Sequence, residues 1–302
     1  MSAKANTLRS VIYALVANFV IAIAKAVAAA ITGSGAMLAE AIHSTADTAN
    51  QGLLLWGMKT AKRPPNEDFP LGYGKEIYFW SFIVALLLFS MGGVFSLYEG
   101  WHKLTAPTEI ASPWVALGVL IFAIVAEGLS FLGCLREINK VRDGRSLWQW
   151  FKDSRQSELI VVFGEDLAAL VGLVLATGAI VLTMVTGNPI YDALGTLAIG
   201  ALLFIIAILI GVEVKALLIG QGVEARHKKA MMEFLHEQPE ITKVFSLITM
   251  QLGNDVMVAI KAQMVLTGSE EGLINNINKV EVKLREKFPG IAWCFFEPDN
   301  RD

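Results

Sequence analysis

Charge is scarce in this chain. Only 18% of its 302 residues are Asp, Glu, Lys or Arg, against 54% hydrophobic, and the mean hydropathy is +0.53. Soluble globular domains carry about a quarter charged residues. The deficit therefore excludes an ordinary soluble protein and points to an integral membrane one. What charge there is nearly cancels, at net −3, so there is no electrostatic ground for a nucleic-acid partner. Cysteine is almost missing: Cys134 and Cys294 stand far apart, both in regions assigned below to the cytoplasmic side or its border. A disulfide framework is not expected. Internal repeats and low-complexity segments are missing too. The first seven residues are short and polar, and no small-residue cleavage site follows the first apolar run, so no signal or transit peptide is expected.

What the chain has is long apolar runs. Crossing a bilayer as helix takes about 20 such residues, and six stretches reach that length: 9–32, 36–58, 78–101, 113–135, 158–186 and 190–217. Pro64, Pro65 and Asn66 interrupt the chain after the second, Pro107 and Pro113 bracket the third-to-fourth turn, and Gly187-Asn188-Pro189 separates the fifth from the sixth. Basic residues collect on one side, among them Lys4, Arg9, Lys59, Lys62, Arg63, Lys75, Arg136, Arg142, Arg145, Lys152, Arg155 and Lys215, while the other side offers little beyond Lys103. By the positive-inside rule both termini face the cytoplasm. Trp148-Gln149-Trp150-Phe151, in the basic loop before the fifth span, suits either the membrane interface or a solvated loop.

After residue 220 the pattern changes. Residues 224–237 read as a helix stopped at Pro239, 241–252 and 256–266 as strands joined through Gly253-Asn254-Asp255, 271–288 as a helix and 291–297 as a last strand. The expected architecture is a polytopic α-helical membrane protein. It has a six-helix domain over 1–220 and a cytoplasmic αββαβ, ferredoxin-like domain over 221–302. A domain of that size gains from pairing with a second copy. Met231, Met232, Met250, Met257 and Met264 are expected to fill its core. His227 and His236 are expected at its surface.

One stretch concentrates the chemistry. In the second span Glu40, His43, Asp47 and Asn50 follow at steps of three, four and three residues. On a helix all four share a face, which makes a polar stripe in an apolar segment. Imidazole and carboxylate are ordinary ligands of a divalent cation, and Asn adds a carbonyl oxygen. Depth along the fifth span brings Asp166 level with His43 and Asp47, and the two helices can offer these three groups to one point. Glu165 stands about 100° round the helix from Asp166.

A charge at the bilayer centre costs roughly 2.5 to 3.5 kcal/mol even on lenient scales. Lys25, Glu40, Asp47, Glu127, Glu165 and Asp166 all fall inside spans, so they must face one another, water or an ion. Lys25 is read as a counter-ion for Glu40 or Glu127. Glu127 is read as that partner or as a proton-relay group. Glu40 is expected near the outer mouth, held by solvent, and Asn50 is as good an interhelical hydrogen bonder as a ligand. No His-Glu-x-x-His or nucleophile-base set is present, so no enzyme is expected.

These motifs are identified as those of the cation diffusion facilitators, the divalent-metal transporters also called the zinc-transporter family. The resemblance starts at Asn18 and Lys25, runs through residues 33–47 (Gly-Ser-Gly-Ala-Met-Leu-Ala-Glu-Ala-Ile-His-Ser-Thr-Ala-Asp), includes the loop 69–76 and Tyr191-Asp192-Ala193-Leu194-Gly195, and extends to the αββαβ tail. It implies a homodimer in the lipid bilayer, no bound cofactor, and export of a divalent metal, most readily Zn²⁺, by alternating access against protons. It also implies a metal site between the second and fifth spans. By position the ligands are His43, Asp47 and Asp166. Where relatives place His or Asp four residues before Asp166, this chain has Val162. Glu165, Asn50 or water is then the candidate fourth ligand. Gly164-Glu165-Asp166-Leu167-Ala168-Ala169 resembles the subgroup that includes the mitochondrial zinc exporter of animals. An oxygen-rich set would also admit Mn²⁺, Fe²⁺ or Co²⁺, and a membrane metal sensor without proton coupling is a further alternative. Phe69 stands where many relatives have His, so no metal is expected in that loop. The expected location is the bacterial cytoplasmic membrane.

Overall fold

The computed structural model describes residues 7–107, 110 and 112–301. Lys4 and the expectation about a leader segment lie outside them. Helices occupy every stretch read as a span: α1 (Thr7–Thr32), α2 (Gly35–Thr60), α3 (Glu76–Thr105), α4 (Pro113–Val141), α6 (Ser157–Thr186) and α7 (Ile190–Ile219). Among the described residues, α3, α4, α6 and α7 are long and apolar enough to cross a membrane, and α1 adds a shorter apolar stretch at Asn18–Thr32. The 26 residues of α2 have the length but carry the polar stripe. The chain is thus a polytopic helical membrane protein with a small C-terminal sheet.

Two compact units divide the chain. The first takes the described residues up to Gly57 together with Trp80–Leu147 and Glu158–Val214; the second takes Met58–Phe79, Trp148–Ser157 and Lys215–Asp302.

Within the first unit, α3 is not a uniform helix. Leu88–Val94 winds as a π-helix between two α-helical halves, and nothing in the apolar pattern announces it. The wider turn lies where small residues bring α3 against α7. A Cβ on Gly93 would meet Phe204 N at 3.0 Å, one on Gly100 Leu197 N at 2.8 Å, and one on Gly200 Leu97 N at 2.7 Å. In lipid there is little hydrophobic gain from pairing helices, so close backbone approach through such residues supplies the contact.

The second unit contains α5 (Leu147–Asp153), α8 (Ala225–His236), β1 (Ile241–Leu252), β2 (Asp255–Met264), α9 (Glu270–Lys287) and β3 (Ile291–Pro298). The sheet order is β1-β2-β3. β1 runs antiparallel to β2 with Val244 opposite Ala262 and Leu252 opposite Asp255; β2 runs parallel to β3 with Val258 opposite Cys294. Gly253 turns the hairpin at φ +67°, a conformation that glycine adopts without penalty. Ser269 caps α9 by accepting the Gly272 amide at 3.1 Å, and Glu270 and Glu271 in its first turn and Arg285 and Lys287 in its last suit the helix dipole.

Alternation along β1 and β2 sends Val244, Leu247, Val256, Val258 and Ile260 into a core closed by Leu235, Phe234, Val280 and Leu284. Met231 and Met264 are in that core and Met232 borders it. Met250 and Met257 are not: paired across the hairpin, they are half-buried on the sheet. His227 and His236 are exposed. Burial pushes the Cys294 thiol up to about 11, which leaves it protonated and unreactive at neutral pH. The Trp148 segment forms α5, with Trp150 and Phe151 buried, Trp148 exposed, and Lys152 Nζ 4.8 Å from the centre of the Trp148 ring.

The seam between α3 and α7 gives a direct test. Gly200→Val would drive side-chain carbons into the backbone of Leu97 and Ser96 and should destabilise the protein by about 1 to 3 kcal/mol. Thermal unfolding in detergent should show a lowered midpoint, while Gly118→Val, at a site open on all sides, should leave it in place.

Candidate metal site

The stripe on α2 faces inward as its spacing requires. Glu40, His43 and Asn50 are fully buried and Asp47 is 6% exposed. The intervening hydroxyls turn back on their own helix, Thr45 Oγ1 donating to Ala41 O at 2.8 Å and Thr48 Oγ1 to Ser44 O at 2.9 Å. Those hydroxyls thereby satisfy themselves and leave the stripe to the four longer side chains.

His43 Nδ1 lies 3.4 Å from Asp47 Oδ1, one turn apart on α2. The two atoms are in contact but not hydrogen-bonded, and both His43 nitrogens and Asp47 Oδ1 are buried without a hydrogen-bond partner. Asn50 reaches α6 instead, its Nδ2 donating to Glu165 Oε1 at 2.5 Å. Asp166, the next residue round the same helix, is 6% exposed, and its Oδ2 has no hydrogen-bond partner. Of these adjacent acids, 100° apart round the helix, Glu165 is the one bonded to α2. The bonding reading of Asn50 is the one realised here, although its Oδ1 has no partner.

Among the described residues no three His, Cys, Asp or Glu side chains are gathered as a metal cluster. His43 and Asp47 come together, Glu165 and Asn50 come together, and Asp166 keeps an unpartnered carboxylate oxygen. Native interiors seldom leave buried polar atoms unpaired, and along α2 and α6 the unpaired ones belong to imidazole, carboxylate and carboxamide groups. That donor set suits a divalent cation.

A second polar group adjoins the stripe. Lys25 of α1, fully buried, donates to Glu40 Oε2 at 3.2 Å and to Ser44 Oγ at 2.6 Å, and its Nζ lies 3.9 Å from Glu127 Oε1 of α4. The counter-ion role expected of Lys25 is thus filled toward both acids. Glu40 differs from expectation. It is not at a solvated mouth but wholly enclosed, because the lysine supplies the charge that water would otherwise have to.

Sequence reasoning missed what holds α2 in place. Asp192, 1% exposed in the first turn of α7, accepts from Ser34 Oγ at 2.5 Å, from the Gly35 amide at 2.8 Å and from the Ala36 amide at 3.3 Å. A carboxylate from a distant helix thus caps the positive end of α2. Ser34 adds a local cap to the Met37 amide at 3.2 Å. Lys103, at the end of α3, lies 3.7 Å from Asp192 and donates to the Gly33 carbonyl. Gly35 has room for no side chain, since a Cβ would come 3.0 Å from both Lys103 and Thr196. Three helices, α2, α3 and α7, are tied at this point, and the depth of the His43–Asp47 pair follows from it. The available signal was an acid three residues after Pro189, at the start of an apolar run.

Asp192→Ala removes the acceptor of two buried amides and one hydroxyl, and each stranded donor costs roughly 1 to 3 kcal/mol. The variant should unfold at a clearly lower temperature in detergent. Asp192→Asn, which keeps an acceptor oxygen, should recover most of the loss.

A family model described as the cation efflux transmembrane domain matches residues 11–219. The mitochondrial proton-coupled zinc antiporter of Xenopus laevis is 36% identical over 240 residues, covering 78% of this chain and 43% of the relative. The human protein of the same name is 35% identical over 225 residues, covering 74% and 39%. Metal tolerance protein C4 of Arabidopsis thaliana is 29% identical over 239 residues, covering 78% and 52%. The chain spans about two fifths of the length of the antiporters it matches.

Proposed function

This chain belongs to the cation efflux family, near the mitochondrial zinc antiporters, and from that premise we propose that it moves a divalent metal cation, most readily Zn²⁺, across a membrane in exchange for protons. The observation that carries the reading is the buried His43–Asp47 pair, with three polar atoms lacking a hydrogen-bond partner, inside a helix that otherwise belongs in lipid. Helices α1 and α2 join the four more apolar ones to make six spans. Both termini then lie in the cytoplasm, the membrane being the cytoplasmic membrane of a bacterium. The segment 221–302 is a cytoplasmic domain that holds two copies together and tunes their activity.

The hydrated ion enters from the cytoplasmic side and exchanges water for His43 and Asp47 on α2 and Asp166 on α6. Glu165 or Asn50 supplies the remaining oxygen where Val162 cannot. A ligand imidazole must be neutral and a ligand carboxylate ionised, so metal binding expels protons and acid weakens it. Protons arriving from the outer side therefore release the ion there, and a rocking bundle carries the emptied, protonated site back. Activity consists of binding and release, with no covalent step.

Purified protein in vesicles loaded with a zinc-sensitive dye tests this. Zinc flux should follow an imposed pH gradient and vanish in Asp47→Ala, with the variant still eluting as the same oligomer. Flux indifferent to the gradient would indicate a channel, and binding without flux a sensor. Glu165→Gln should weaken zinc affinity at least tenfold if that carboxylate is a ligand; an unchanged affinity assigns the place to Asn50 or water. In all active variants, zinc affinity should fall as pH is lowered.

A further inference from the structure

The group around Lys25 is built like a cation site whose cation is part of the chain. The ammonium is completely buried and is met by three oxygens from two other helices: Glu40 Oε2 at 3.2 Å, Ser44 Oγ at 2.6 Å and Glu127 Oε1 at 3.9 Å. The two carboxylates together carry −2 against the single positive charge. The other Glu40 oxygen, Oε1, is buried without a hydrogen-bond partner, close beside Gly172 of α6, where a Cβ would approach it to 2.5 Å. Take the lysine away, and two carboxylates and a hydroxyl remain, a hard-oxygen set whose charge would neutralise a divalent ion.

The position matters as much as the composition. Glu40 precedes His43 by one turn on the same face of α2, and Ser44 is the residue after His43. The distance along the helix is about 5 Å. The group is therefore the next place along the stripe at which an ion leaving His43 and Asp47 could lodge.

We propose that Glu40, Glu127 and Ser44 form a second divalent-cation station and that the Lys25 ammonium, a tethered cation, keeps it filled. This rests on the transport reading given above and extends it. An ion that stopped at a fully enclosed pair of carboxylates would leave slowly, because no water is there to take it. A lysine in that place satisfies the acids and repels the ion, so the outward path holds one strong site instead of two. The lysine acts on passage through its charge, not by touching the ion in the first site.

The test is metal stoichiometry, measured by equilibrium dialysis of the detergent-solubilised full chain against Zn²⁺ with detection by mass spectrometry. Lys25→Met should bind one more zinc per chain than wild type, and Lys25→Met/Glu127→Gln should return to the wild-type number. In vesicles Lys25→Met should transport at least tenfold more slowly, the added ion lodging on the path. Equal stoichiometry in wild type and Lys25→Met would overturn the proposal. Recovery of Lys25→Met only from zinc-supplemented medium also supports it, since the ion then replaces the ammonium; failure to assemble at every zinc concentration overturns it. The two readings fail separately. A wild type that binds no zinc defeats the proposed function, whereas the difference between Lys25→Met and wild type decides the second station whatever the first one does.

Discussion

Ionic groups inside a low-dielectric bundle must be compensated where they stand, and most of the first unit follows from that. Six such groups sit along α1, α2, α4 and α6, and water reaches none of them freely. Lys25 answers Glu40 and Glu127, and Asn50 answers Glu165. Each pairing joins two helices, so the compensation also fixes which helices are neighbours. Only the His43–Asp47 pair is left with contact but without a bond. Both imidazole nitrogens and Asp47 Oδ1 stay unbonded there, and that incompleteness suits the pair to a guest ion.

Part of this was legible in the residues. The spacing of Glu40, His43, Asp47 and Asn50 fixes a common face because helical periodicity is local and rigid. The strands of the C-terminal sheet were legible for the same reason, β1 falling on the expected residues and the others within two. The polar register of α2 survived even though its charges lower its apparent fitness for a membrane. What could not be read was tertiary. The pairing of Lys25 with Glu40 was expected, but the complete enclosure of Glu40 was not, and the cap on α2 comes from Asp192, 157 residues beyond Gly35. No periodicity encodes such meetings. Glu165 and Asp166 were legible as acids on different faces, but which neighbour each finds depends on the packing of α2 and α4 around α6.

The arrangement also separates what is fixed from what is left adjustable. At one end of α2, three hydrogen bonds to a single carboxylate and a nearby lysine set the helix. Glycines at 93, 100 and 200 hold α3 and α7 backbone to backbone. Around the stripe, by contrast, the contacts are single and between side chains, which can exchange partners at little cost. Transport by alternating access would need this division, since a site must reshape while its helices keep their order.

The π-helical stretch Leu88–Val94 bears on how α3 can be altered. A π turn accommodates one residue more than an α turn would, so everything after it is rotated by about 100° relative to an unbroken helix. Gly93, Ser96 and Gly100 owe their place against α7 to that offset. Losing one residue in this short window would leave the hydropathy of the segment almost untouched, yet would swing the glycine edge away toward lipid and turn a bulkier flank to its partner. For this helix, the count of residues is a stricter specification than their chemistry.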